Sequence, residues 1–323
     1  MSEPPEEAPL LDEVRHALAG HPLDLLGMVS MLIEATKPDP LAWLPSRPQR
    51  DTVELEPLLD GLIGTPTGET TALLAVLAEL LDAPDLQRRC RQEVTARTDV
   101  LPDWITGLGH VEVDKAVRMT HVLGDGDEIL IGARLSTGDE LTCAAFIDHN
   151  SLSAVTDAFF VPDSIDNVVA FGVERNTDPD TSFVDMSPAD ARAWVEHGLR
   201  EPAVFMDQSD TWPACRPLLQ WLIRRLPPGG ATRESPGWDP VEQRDLCDRF
   251  FASEHGAAFD PREYGELLDE LIDSGDPVRW SAPRIEHLLR GGRQVDSTVA
   301  VEVALDSPEL LTRFVPFAHA HSG

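Results

Sequence analysis

Lysine is nearly absent. Only Lys37 and Lys115 occur among 26 basic side chains, and these face 57 acidic ones. The formal net charge is -31. A field of that sign repels phosphate backbones and anionic lipid surfaces, so nonspecific nucleic-acid binding is disfavoured. No acidic tail accounts for the charge: residues 1–109 carry -11, residues 110–211 carry -14 and residues 212–323 carry -6. The arginine-for-lysine bias fits a GC-rich genome, with a halophilic origin as the second explanation.

Cysteine is equally sparse. Cys90, Cys143, Cys215 and Cys247 are far apart, so no short metal-ligand spacing exists. Buried free thiols in a reducing compartment are expected. No apolar run approaches the ~20 residues of a membrane span. The first residues are acidic and proline-rich, unlike a signal peptide. A cytoplasmic location and no membrane association are the expectations.

What is present is periodicity. Leu10, Leu11, Val14, Ala17 and Leu18 mark one helical face, and Pro22 can open a second helix. Residues 36–50 carry four prolines and read as an irregular connection. Further helices are expected over about 69–82 and about 84–97. From residue 117 the period changes. Apolar stretches separated by Gly124-Asp125-Gly126-Asp127 and Ser136-Thr137-Gly138-Asp139 predict an antiparallel meander. Residues 154–161 fit either a fourth strand or a short helix. Residues 164–173 and 188–199 read as helices. Thr211 is a candidate cap for a helix with Cys215, Leu218, Leu219, Leu222, Ile223 and Leu226 on its apolar face. Residues 227–237 form the best linker, and helices follow at about 240–254, 262–274 and 282–290. The expectation is an α+β protein: a helical N-terminal region over 1–109, an α+β region with a central antiparallel sheet over 110–226, and a helical C-terminal region over 227–323.

Two ligand motifs fail on inspection. Gly64 to Thr71 sits before a helix, but only three residues separate its glycines and Glu69 replaces the lysine of a phosphate loop. Helix capping by Thr67 or Thr70 is the better reading. Asp125 and Asp127 resemble the start of a calcium loop, but Ile129 occupies the third ligand position. No metal and no cofactor is expected.

Asp148-His149-Asn150 ends an apolar strand, with Asp157 shortly after. His149 is a candidate general base oriented by Asp148 or Asp157, and Asn150 is a candidate binding residue. A turn in which Asp148 and Asn150 satisfy backbone groups is the competing structural explanation. No nucleophile accompanies the base. Trp212 and Arg216 lie four apart at a helix start and can stack, as a binding pair or as packing. Arg279, Arg284, Arg290 and Arg293 surround the third C-terminal helix and permit a winged-helix reading.

Several of these stretches resemble a group of uncharacterised actinobacterial proteins: residues 72–80, Ile147 to Asn150, Asp157-Ala158-Phe159, Asp210 to Leu218, and Arg279 to Pro283. The resemblance implies an actinobacterial cytoplasmic protein and carries no activity or site residue with it. The leading functional expectation is a noncatalytic regulatory or interaction protein with another protein as partner. The alternatives are a hydrolase-like enzyme using Asp148, His149 and Asp157, and a DNA-binding regulator using the C-terminal arginines.

Overall fold

A computed structural model describes residues 7–38, 54–201, 209, 211–234, 238–273, 275–290 and 299–321. Most of the proline-rich connection, Asp210 and Arg293 lie outside the described residues. The fold is α+β, as expected. Two compact units divide it. The first comprises 1–120, 127–148 and 152–232; the second comprises 121–126, 149–151 and 233–323.

In the first unit, α1 (Glu7–Ala19) and α2 (Pro22–Ala35) begin the chain. Pro22 sits in the first turn of α2, as its fixed φ favours. His21 caps that helix by accepting from Leu23 N, and Asp24 returns the bond to His21 N. Then come α3 (Leu55–Gly64), α4 (Gly68–Leu80), α5 (Pro84–Ala96) and the single turn α6 (Asp103–Thr106). Thr67 caps α4 and Thr70 completes the reciprocal capping box. The Gly64–Thr71 stretch is thus a helix start, as its chemistry requires.

The sheet order is β4-β3-β2-β1-β5, formed by β1 (Glu112–His121), β2 (Gly126–Arg134), β3 (Glu140–Asp148), β4 (Ala154–Val161) and β5 (Thr181–Met186). Residues 154–161 are therefore a strand. Strands β1 and β2 pair antiparallel, as do β3 and β4. Gly124 and Gly138 supply the positive φ that the turns need, at +70° and +93°. Helices α7 (Ile165–Arg175), α8 (Pro188–Arg200) and α9 (Arg216–Ile223) complete the unit.

Both faces of the sheet are covered, which is why β2 and β3 read as apolar runs rather than clean alternation. One face (Ile129, Ile131, Cys143, Ala145 and Ile147) joins helices α2, α4, α8 and α9 in the main core. The helices of 1–109 and the sheet of 110–226 thus share one core. On the other face Val117, Leu130 and Ala144 pack with Ile165, Val168, Val169 and Phe183. A Cβ on Gly132 would meet the Ile165 side chain at 2.7 Å, so glycine lets α7 approach the sheet closely.

In the second unit, α10 (Pro240–Ala252), α11 (Pro261–Ile272), α12 (Ala282–Leu289), α13 (Val301–Ala304) and α14 (Ser307–His319) bury a separate core around Phe250, Leu268, Trp280 and Phe314. Residues 301–304 form a helical turn, and Val301 and Leu305 are exposed. No strand occurs among the described residues of 233–323.

Candidate functional site

The polar residues singled out from the sequence are divided. Asn150 Nδ2 donates to Asp125 Oδ1 at 3.2 Å, and His149 N donates to Asp125 O at 2.7 Å. Ser281 Oγ, the cap of α12, donates to the same Asp125 Oδ1 at 2.7 Å. Asp125, read from the sequence as a turn residue, is therefore the acceptor that ties the loops of the second unit together. Its partners are 25 and 156 residues away, which no local pattern reveals.

Asp157 has different partners, in the first unit. It pairs in register with Phe146, while Asp148 pairs with Ala154, and a bulge between Phe146 and Ile147 separates the two registers. The Ser209 and Thr211 hydroxyls both donate to Asp157 Oδ1, Thr211 at 2.8 Å. Asp157 is thus engaged by two hydroxyls, and the loop residues beside His149 by Asp125.

Thr211 does not cap the following helix. Its hydroxyl is held by Asp157, and α9 starts five residues later, at Arg216, with no side-chain cap. The stretch is fixed instead from α2. Ser30 Oγ, fully buried, donates to Ala214 O at 2.6 Å and accepts from Leu218 N at 3.1 Å. The Arg216 guanidinium lies 6.0 Å from the Trp212 ring centroid. Trp212 is only 4% exposed, and Arg216 Nη2 donates to Leu199 O at 2.7 Å. That bond ties the start of α9 to the end of α8.

No thiol is activated. Burial pushes Cys90 up to about 11 and Cys247 up to about 12, and it also raises Cys143 and Cys215. All four stay protonated at neutral pH. An open groove of about 490 Å³ runs along α5 beside Arg88 and Arg91, and none of the candidate residues lines it.

Arginines 279, 284 and 290 each have partners in the second unit. Arg284 is buried, Arg279 Nη1 donates to Val122 O at 2.8 Å, and Arg290 pairs with Glu286 at 3.2 Å on its own helix. With Arg284 inside the core, the described arginines do not form one outward basic surface.

The sheet face that α7 covers shows what the sequence reading missed. Phe146 and Phe159 are each 39% exposed. In register, Ala144 opposes Phe159 and Phe146 opposes Asp157, so the two phenylalanines are diagonal neighbours on one face. Glu128 belongs to the same face: it lies two residues from Leu130, and Phe146 lies two from Ala144, both members of the small cluster under α7. In the hairpin between β2 and β3, Leu135 N donates to Asp139 O at 2.8 Å and Arg134 pairs with Glu140, so continuing that register sets Glu128 opposite Phe146. Glu128, Phe146 and Asp157 accordingly form a row across three strands. The Glu128 carboxyl is raised by burial and then by the charge of Asp157. The available signal was a carboxylate alternating with the run Ile129-Leu130-Ile131.

That shift sets the sign of a pH effect. A carboxyl raised in the folded state penalises its ionised form, so its contribution is intact below the ordinary carboxylate value and is lost as pH rises through the raised one. Glu128→Gln is expected to raise the melting temperature at neutral pH. The gain should vanish below about pH 4.5, the ordinary value for this group. Thermal melts across pH check this, and a neutral-pH loss would contradict it.

No family model, curated protein or solved structure matches the chain. No helix among the described residues is long and apolar enough to cross a membrane.

Proposed function

We propose that this chain is a noncatalytic protein-interaction protein whose partner seats on the sheet face carrying Phe146 and Phe159. The observation behind this reading is the placement of two large aromatic side chains side by side on β3 and β4, each well exposed. Single exposed apolar residues are ordinary, whereas adjoining aromatics are the residue type that dominates protein interfaces. Phe171 and Val173 on α7 add exposed apolar surface on the helix that covers this face. The engagement of Asp157 and of the His149 loop in structural hydrogen bonds supports the same reading over the hydrolase alternative.

The test is a pull-down from a lysate of the source cells with the wild type and a Phe146→Ser/Phe159→Ser variant in parallel, with His149→Ala as a third bait. Loss of specific partners with the double serine variant and their retention with His149→Ala is the expected outcome. Retention of every partner by the serine variant would sink the assignment of this face.

A further inference from the structure

The same face carries a carboxylate that lacks a counter-charge. Among the described residues Glu128 makes no hydrogen bond or ion pair, although it is half-buried beside Phe146. The charge that acts on it is another anion, Asp157, which raises its pKa further. Residues 110–211 hold only six basic side chains against twenty acidic ones. Lys115 pairs with Asp166, Arg118 lies against Trp194 and Arg134 pairs with Glu140, so these cations of the sheet are placed elsewhere. A half-buried, unpaired anion is costly, and a positive group brought beside it removes that cost. Phenylalanine rings next to the carboxylate complement both the flat, weakly hydrated guanidinium and the apolar stem that carries it.

We propose that this face recognises a basic side chain, arginine before lysine, on an extended segment of a protein partner. The cation sits between Glu128 and Asp157, and its stem lies over Phe146 and Phe159. Arginine is preferred because its planar fork reaches two carboxylates and stacks on a ring, whereas lysine offers a point charge. Ser209 and Thr211, by donating to Asp157, hold one of the two carboxylates in place. This rests on the interaction reading above and adds the chemistry of the partner.

Fluorescence anisotropy with a fluorescein-labelled peptide of alternating Arg and Val tests it, against the same peptide with Gln for Arg. The proteins are the wild type, Glu128→Gln, Asp157→Asn and Glu13→Gln, the last on the exposed outer side of α1. Each glutamine variant removes one negative charge of the total, so nonspecific attraction falls equally in both. Glu128→Gln is expected to weaken the Arg peptide about tenfold, the usual loss for one charge-assisted contact. Asp157→Asn should weaken it in the same direction, and Glu13→Gln should leave it within about twofold. Glu128→Gln keeps the shape of the side chain, and its melting curve verifies folding. Equal affinity of Glu128→Gln and Glu13→Gln, or equal binding of the Arg and Gln peptides, would overturn the proposal. If the double serine variant loses its partners in the pull-down while Glu128→Gln keeps them, the interaction reading stands and the cation inference falls.

Discussion

Arg284→Ala is expected to destabilise the second unit by about 3–5 kcal/mol, the scale of removing one buried, fully engaged charge. Arg284 is 4% exposed and lies 4.0 Å from the Trp280 ring centroid. Its Nη1 donates to Asp276 O at 2.5 Å and to Arg279 O at 2.8 Å, and its Nη2 to Ile272 O at 3.3 Å. The Ile272 carbonyl closes α11, and the other two lie in the loop that leads to α12. One guanidinium therefore supplies donors to a helix-end carbonyl and two loop carbonyls. Burial lowers Arg284 to about 10, so it remains charged at neutral pH, with the Asp276 and Asp125 charges opposing the shift. Lysine cannot reach three carbonyls from one point, so Arg284→Lys should recover only part of the loss. Urea unfolding followed by tryptophan fluorescence reads the effect, since Trp238 and Trp280 lie in this core. A change below about 1 kcal/mol for Arg284→Ala would mean that water replaces these bonds at little cost.

Arg97→Ala should be the corresponding loss in the first unit, about 3 kcal/mol. The Arg97 side chain is 6% exposed. Its Nη2 donates to Leu62 O and Ile63 O, both at 3.1 Å, at the end of α3. Its Nη1 donates to the Thr70 and Thr71 hydroxyls at 2.9 and 3.1 Å, in the first turn of α4. Its Nε donates to Glu93 at 2.9 Å. The residue thus joins the C-terminus of one helix to the N-terminus of the next from the cap position of α5. At roughly 2–4 °C per kcal/mol for a unit of this size, the melting temperature should fall by about 10 °C. A circular-dichroism melt decides it, and an unchanged midpoint would contradict the assigned role. Both arginines make the same physical point. In a chain where the basic side chains are scarce, two of them serve inside the protein as donors to helix ends rather than outside as a basic surface.

Local pattern carried the sequence reading wherever the physics is local. Proline at the first turn of α2, the Thr67 box before α4 and the glycine turns between strands are each decided within a few residues. Strand β4 stayed ambiguous because a short apolar run has no distinctive period, and only its pairing with β3 settles it. Strand β5 and helix α3 went unread. The first is short and partly polar, and the second carries Gly61 and Gly64 within ten residues. The site was less legible still. Asp157 meets Ser209 across 52 residues and Thr211 across 54, and the row Glu128, Phe146, Asp157 exists only once three strands are in register. His149 sits at a strand end, and its backbone N–H donates to Asp125 O, 24 residues away in the chain.

The central claim is that a protein partner contacts the face of Phe146 and Phe159. A photo-activatable amino acid placed at 146, at 159 or at 13, followed by illumination in source-cell lysate and mass spectrometry of the adducts, addresses it directly. The same protein crosslinked from 146 and 159 and not from 13 is the predicted result. Adducts that do not differ among the three positions, or none at 146 and 159, would contradict it.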